Sequence, residues 1–400
     1  MTKKYYNLTI LLTLFGFGIL FIPQTYAVSN HEIYLSSSSS TTTLIKAIWD
    51  NTTSSTSTVD SIPNTSSDRI WSPSIALDSQ NREHIVYLRH DAGTTTNIVY
   101  KTGTTTEILP RFPWYPFFSS SEVVAIATDS FDIPYVAVAT GQTAGSGFSD
   151  VDIWKGGSGN WTYFTSVKST SSPDFYTMTT RSFKRVLTIS GGGTLEDIFH
   201  LVYQYYNSTA GTSSLREAIF DGAGSILSDS LISTSSPNML EEGDLEVDAA
   251  TNGSVFGYQQ GGFPYSVYLT GSLYNNNPVY FQDAISIDTF LSDANNIEFM
   301  TSNIVFYQGG NHGSWVDISG PISARLASSS SEYYTGSRGV ILPSEDGNFF
   351  EAYISYATQT STSTALVGRW TNDSGSNWYT TMIDNVGSRN LYSPLLVREN

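Results

Sequence analysis

Ser72-Pro-Ser-Ile-Ala-Leu-Asp-Ser-Gln-Asn-Arg-Glu-His-Ile-Val-Tyr87 reads as a short apolar strand, an Asx-type turn opened by Asp78, and a second strand. The unit recurs. Ala127-Thr-Asp-Ser-Phe-Asp-Ile-Pro-Tyr-Val-Ala-Val138 aligns without gaps to Ala76 through Tyr87, which puts Asp129 on Asp78 and Tyr135 on His84. Val247-Asp-Ala-Ala-Thr-Asn-Gly repeats the strand and turn, and His200-Leu-Val-Tyr203 repeats the second strand. Fainter copies run through residues 298–307 and 339–348. Strand starts near 72, 122, 184, 244, 295, 339 and 393 give a spacing of about 53 residues, the length of a four-stranded blade. After residue 27 no stretch sustains a helical period.

The two ends of the chain complete each other. Trp49 to Pro73 aligns without gaps to Trp370 to Pro394 at an offset of 321, six repeats. Ser393-Pro-Leu-Leu-Val-Arg-Glu-Asn400 copies only a first strand, and Val28-Ser-Asn-His-Glu-Ile-Tyr-Leu35 copies only the strand that follows it. The expected fold is all-β: a seven-bladed β-propeller over residues 28–400, closed by pairing of its N- and C-terminal strands in one blade. Closure removes the free sheet edge that invites aggregation.

Composition limits the chemistry. The chain has 400 residues, 19 Lys+Arg against 36 Asp+Glu and a formal charge of −17, with 59 Ser and 45 Thr supplying the polar surface. Such an acidic chain is a poor partner for nucleic acid. The absence of Cys excludes disulfides, thiolate metal sites and a cysteine nucleophile. Lys3 and Lys4, the apolar run from Leu8 to Ile22 and Thr25-Tyr-Ala27 predict a signal peptide over residues 1–27, hence a secreted or cell-surface protein with no membrane insertion after cleavage. After residue 27, six Asn-x-Ser/Thr sequons, at Asn51, Asn64, Asn160, Asn207, Asn252 and Asn372, match the number expected by chance in a chain this rich in Ser and Thr.

At Thr371-Asn-Asp-Ser-Gly-Ser-Asn-Trp378 the chain matches the Asp-box pattern S/T-x-D-x-G-x-x-W, and with the repeated unit above it resembles the sialidase-superfamily (BNR, Asp-box) β-propellers. Gly157-Ser-Gly-Asn-Trp161 is similar to the box without its Asp. The resemblance implies that Thr371, Asp373, Gly375 and Trp378 form a structural turn between third and fourth strands. It also implies that ligand binds on the opposite face, where blade connects to blade. Sialidases share an Arg-Ile-Pro motif and a Tyr-Glu pair; Arg69-Ile-Trp-Ser-Pro73 keeps only part of the first, and no motif here assigns the second.

Taking the blade connections as 66–71, 110–121, 172–183, 235–244, 286–294, 332–338 and 385–392 collects five of the 12 Arg. The candidate ligand-binding residues there are Arg69, Trp71, Arg111, Trp114, Tyr176, Arg181, Tyr334, Arg338, Arg389 and Tyr392. Guanidinium groups fork onto carboxylates and aromatic faces stack on sugars, as a shallow face for an acidic glycan or peptide requires. His31, His84 and His200 share one repeat position on different blades, so they point around a ring and form no metal site. No cofactor or metal is expected, and no catalytic residue is assigned by motif. The leading reading is a secreted or surface-associated, non-catalytic propeller that binds a glycan or an extracellular protein. One alternative is a sialidase-like glycoside hydrolase using Asp174, Glu241 or Glu242 as acid and Tyr176, Tyr333 or Tyr334 as nucleophile. The other is a structural module of the cell envelope.

Overall fold

The computed structural model describes the backbone of residues 29–398 except 51, 66–67, 92–95, 111–122, 140–148, 158, 171–174, 190–194, 208–211, 236–239, 249–252, 261–264, 274–279, 282–284, 291–293, 302–303, 310–311, 318–322, 327–332, 344–349, 360–363, 372–378 and 388–389. Side chains are described within 29–110, 124–139, 151–167, 197–203, 212–231, 364–370 and 379–387. The expected signal peptide lies outside the described residues. Every regular element among them is a strand, as a chain of Ser, Thr, Tyr, Val and Ile divided by Gly, Asn and Asp turns favours.

The strands form seven antiparallel sheets among the described residues. In chain order, β1 (Asn30–Ser37), β2 (Thr41–Trp49) and β3 (Ser54–Pro63) belong to the first sheet; β4 (Arg69–Leu77), β5 (Glu83–His90), β6 (Asn97–Thr102) and β7 (Thr105–Ile108) make the second. The third has β8 (Val123–Thr128), β9 (Pro134–Ala139), β10 (Ser149–Lys155) and β11 (Thr162–Thr170); the fourth has β12 (Phe175–Ile189), β13 (Leu195–Asn207), β14 (Thr212–Asp221) and β15 (Ile226–Ser235). The fifth contains β16 (Leu240–Asp248), β17 (Gly253–Gln260), β18 (Tyr265–Leu273), β19 (Tyr280–Phe281) and β20 (Ile285–Phe290). The sixth holds β21 (Ala294–Thr301), β22 (Ile304–Gly309), β23 (His312–Asp317) and β24 (Ser323–Leu326). The seventh holds β25 (Tyr333–Pro343), β26 (Phe350–Gln359), β27 (Thr364–Thr371) and β28 (Tyr379–Gly387). The last strand, β29 (Asn390–Arg398), joins the first sheet, pairing with β1 from Asn30↔Arg398 to Ser37↔Asn390.

These sheets pack face to face, so a second strand is buried on both sides and alternates between neighbours. In β5, Ile85 and Tyr87 turn toward Ile33, Leu35 and Leu44 of the first sheet, whereas Val86 and Leu88 turn toward Val124, Ile126 and Val136 of the third. In β9, Val136 and Val138 face the second sheet while Tyr135 and Ala137 face Phe199, Leu201 and Phe220 of the fourth. Tyr34, Ala47 and Trp49 of the first sheet pack on Leu366 and Ile383 of the seventh. Each large apolar side chain buried this way contributes about 1.5–3 kcal/mol. The first strands lie beside one another, β4 with β8, β8 with β12, β12 with β16, β16 with β21, β21 with β25, β25 with β29, and β29 with β4. Face-packed four-stranded sheets with their first strands gathered together are the β-propeller fold.

Serine hydroxyls connect the first strands where no strand ladder does. Val124 N–H donates to Ser72 Oγ at 3.1 Å, and Ile126 N–H to Ser74 Oγ at 3.3 Å. The Ser-Pro-Ser of the repeated unit is thereby explained: its hydroxyls accept amide protons that would otherwise be buried unpaired.

One set of boundaries needs correction. The sequence pattern puts Arg69 and Trp71, Tyr176 and Arg181, Tyr334 and Arg338, and Tyr392 in blade connections, but they lie within β4, β12, β25 and β29. The cause is a break in register inside each of these first strands, between Trp71 and Ser74, Met178 and Phe183, Thr335 and Ser337, and opposite Ile33/Leu35 in β29. An irregularity interrupts the alternation of side chains, so pattern reading starts the strand only after it. Ser72, at φ 49°, sits in the left-handed region at the first of these breaks.

Candidate functional site

Two copies of one turn build a concave site among the described residues. In the first, Asp78 Oδ1 accepts the N–H groups of Gln80 and Arg82, both at 2.8 Å, and Asn81 takes φ 58°. In the second, Asp129 Oδ1 accepts those of Phe131 at 2.9 Å and Ile133 at 2.8 Å, and Asp132 takes φ 65°. Asn and Asp are the residue types that tolerate this conformation. The residues aligned in the two repeats hold their turn carboxylates alike. His84 Nε2 lies 3.3 Å from Asp78 Oδ2, and the Tyr135 hydroxyl donates to Asp129 Oδ2 at 3.3 Å. A latch joins the turns, since Ser79 donates both its N–H and its hydroxyl to Asp132 at 2.8 Å. Ser130 repeats the contact to Asp197 of the next sheet, its hydroxyl at 3.0 Å.

Between the two turns opens a pocket of about 440 Å³, whose rim includes Arg82, Asp132, Pro134, Lys155, Asn160 and Thr162. All lie in, or at the strand ends beside, the turns joining first to second or third to fourth strands, so the pocket lies on the Asp-turn side of the sheets, away from the blade connections. Ile133 and Pro134 give it an apolar wall. Arg82 is held by one hydrogen bond, Nε to Asp78 Oδ2 at 2.5 Å, with an Nη2 3.8 Å from Asp132. Lys155 Nζ stands 3.7 Å from Asp129 Oδ2 and lies over the Tyr135 and Phe164 rings, 4.8 and 5.7 Å from their centroids. The turn carrying Asn160 is fixed from the second sheet: Glu107 accepts from Gly159 N–H at 2.8 Å and from the Trp161 indole N–H at 2.6 Å. Trp161 is buried edge-on against Tyr100 at 5.0 Å.

The ionisation pattern follows from these contacts. Burial pushes the Asp78 carboxyl up, yet the hydrogen bonds from Arg82, Gln80 and His84 outweigh it and hold the group below its ordinary value. Burial pushes the His84 imidazole down against the pull of Asp78. Because a carboxylate only accepts, neutral His84 carries its proton on Nε2 and its Nδ1 accepts from the Tyr100 hydroxyl at 2.7 Å. Tyr100 is itself pushed up to about 12, mainly by burial.

A stability prediction arises here. Glu83 is held below its ordinary 4.5 by bonds from His31 and Lys46, each 2.6 Å, although burial pushes it up. Groups whose folded-state value is depressed, His84 and Glu83 alike, stabilise the fold above their unfolded-state values, and that stability is lost as pH falls. The melting temperature is therefore expected to drop from about pH 6.5 downward and again below about 4.5. Glu83→Gln is expected to lower the neutral-pH stability by about 1.5–3 kcal/mol and to flatten the lower limb; an unaltered limb in thermal melts across pH would refute the assignment.

The candidates from the sequence are distributed as follows. Arg69 begins β4 and is exposed, opposite His90 in register; Trp71 is half-buried against the cluster between the second and third sheets. Tyr176, Arg181, Tyr334, Arg338 and Tyr392 are placed by backbone alone, on the entry halves of β12, β25 and β29. Arg111, Trp114 and Arg389 lie outside the described residues, as do Asp373, Gly375 and Trp378 of the Asp-box, whose Thr371 ends β27. Of the alternative hydrolase's residues, Asp174 is outside the description, and Glu241, Glu242 and Tyr333 are placed by backbone alone. His31, His84 and His200 each have a separate partner, Glu83, Tyr100 and Glu217. Sequence reasoning misses the pocket residues Arg82, Lys155 and Asn160, because their separation in the chain matches no motif.

No protein-family model matches the chain, and no curated protein matches it in sequence. Among solved structures it is similar to a hypothetical selenium-binding protein from Sulfolobus tokodaii, at 10% identity over 93% of this chain and 94% of that one, with a TM-score of 0.53. Likeness at this identity bears on the fold alone. It is also similar to the fungal lectin of Aleuria aurantia, a six-bladed β-propeller, at 13% identity over 91% and 97% of the two chains with a TM-score of 0.39. The WD40 domain of SCAP from fission yeast follows at 10% identity over 81% and 77%, with a TM-score of 0.41. These two carry no argument about function.

Proposed function

We propose that this is an exported, non-catalytic, seven-bladed β-propeller, closed by the pairing of β29 with β1, that binds a glycan in the pocket between its second and third sheets. Support for closure comes from the first strands: β29 borders both β25 and β4, and it completes the sheet of β1, β2 and β3. Residues 1–27 supply the export reading, and Thr371 to Trp378 supply kinship with the Asp-box propellers.

The observation that carries the glycan reading is the pocket's lining. Sugars present hydroxyls beside C–H patches, and here the ends of Arg82, Lys155, Asn160 and Thr162 surround a wall of Ile133 and Pro134 in a volume that suits one or two sugar rings. Catalysis is disfavoured by the same geometry. Glycoside hydrolysis needs a carboxyl with a raised proton affinity, whereas Asp78 is held ionised and is consumed by its turn. Asp132 is engaged by the Ser79 latch.

Glycan-array binding measured beside turnover of fluorogenic glycosides tests this. Binding without turnover is the expected outcome. Turnover that disappears in Asp132→Asn would replace the binding role with a hydrolytic one.

A further inference from the structure

We propose that the sugar taken by this pocket carries a carboxylate, and that Arg82 and Lys155 together read it; the inference rests on the glycan reading above and names its substrate class. The argument is a balance of donors and acceptors. Every carboxylate around the pocket is already supplied from within the protein. Asp78 accepts two turn amides, Arg82 Nε and His84; Asp129 accepts two turn amides and the Tyr135 hydroxyl; Asp132 accepts the amide and hydroxyl of Ser79.

The cations are in the opposite condition. An arginine has five N–H donors, and the hydrogen bond from Arg82 to Asp78 uses only the one on Nε, with the side chain 56% exposed. Its Nη2 lies 3.8 Å from Asp132, beyond hydrogen-bond reach. Lys155 Nζ has no hydrogen-bond partner among the described residues, and it is steadied by two ring faces with 31% of its side chain exposed. The pocket thus has charged donors to give, Arg82 and Lys155, while its carboxylates are already engaged within the protein, and Asp132 and Asn160 keep acceptor sites for a sugar's hydroxyls. A hydroxyl ligand would meet this imbalance in part, since it both gives and accepts. A carboxylate only accepts, on two oxygens, and matches a guanidinium end beside an ammonium.

The anchoring explains why the pair is fixed in place. Asp78 holds Arg82 through Nε, which leaves Nη2 beside Asp132 at the pocket rim. Tyr135, the residue aligned with His84, provides the ring under Lys155.

The test uses the full-length protein and pairs of oligosaccharides differing only at the carboxyl: galacturonan, alginate and hyaluronan oligomers and their carboxyl-reduced forms, titrated calorimetrically. At least one acidic oligomer is expected to bind tenfold or more tightly than its reduced partner. Lys155→Gln and Arg82→Gln are expected to erase that ratio, bringing the affinity for the acidic oligomer down to that for its reduced partner in the same variant. Arg82→Lys, which keeps a cation against Asp78, covers the case in which Arg82→Gln fails to fold. Equal affinity for acid and reduced forms overturns the carboxylate assignment and leaves the glycan reading standing. No binding by any of these sugars or by any glycan on the array overturns both.

Discussion

Deleting residues 390–398 is expected to destroy the cooperative fold, or to leave a protein that melts at least ten degrees lower. β29 contributes seven registered pairs to β1, and at about 1 kcal/mol for each net hydrogen bond the loss is on the order of 5 kcal/mol before any side-chain packing is counted. That is comparable with the entire stability of a typical domain. Within β1, Asn30 through Ser36 are buried, Glu32 fully, so the deletion would bare the edge of a strand that is otherwise shielded from water. The exposed edge would also recruit other strands, and aggregation should accompany the loss. Far-UV circular dichroism melts of the full and shortened chains decide the matter. A melting temperature within three degrees of the full chain would mean that the C-terminal strand is an accessory and that the ends do not hold the propeller together.

Trp49→Ala is expected to cost about 3–5 kcal/mol, the range for removing a large buried aromatic side chain. Trp49 is 1% exposed at the junction of the first and seventh sheets, among Tyr34, Leu366 and Ile383. Its indole N–H donates to buried Glu32 at 3.1 Å, so the variant removes a donor from a carboxylate as well as opening a cavity. The ring is also clamped: a Cβ on Gly368 would come within 2.7 Å of it. Trp49→Phe should cost less than the alanine variant because it retains most of the volume. Gly368→Ala should cost about 1–3 kcal/mol by overpacking. Denaturant unfolding of the three variants gives the order directly. Near-neutral Trp49→Ala would mean that the first and seventh sheets are not packed as described.

Much of the fold is readable because the repeat is local. The Asp78 and Asp129 turns, the equivalence of His84 and Tyr135, and the two end segments that pair as β1 and β29 all follow from aligning the chain with itself. A short Asx turn and an alternating strand are set by their own residues. Strand starts are not readable, because register breaks at Trp71/Ser74 and Thr335/Ser337 hide the pairing that lies before them. The pocket is hidden for a different reason. Its walls come from turns and strand ends of two sheets, and its two cations, Arg82 and Lys155, are 73 positions apart and owe their spare donors to the hydrogen bonds that other groups already make to the nearby carboxylates. Spacing encodes turns; it does not encode leftover hydrogen-bonding capacity. The one signal near at hand is the Gly157-Ser-Gly-Asn-Trp161 segment, legible as a turn and silent about what it borders.

Hydrogen–deuterium exchange of the full-length protein, with and without a saturating oligosaccharide chosen from the array, tests most directly where the ligand sits. Protection is expected in peptides covering 78–84, 129–134 and 155–162, with the entry halves of the first strands unchanged. Protection confined instead to peptides covering 66–71, 172–183, 332–338 and 385–392 would contradict the account, moving the binding surface to the blade-connection face that Arg69, Arg181 and Arg338 mark in the sequence.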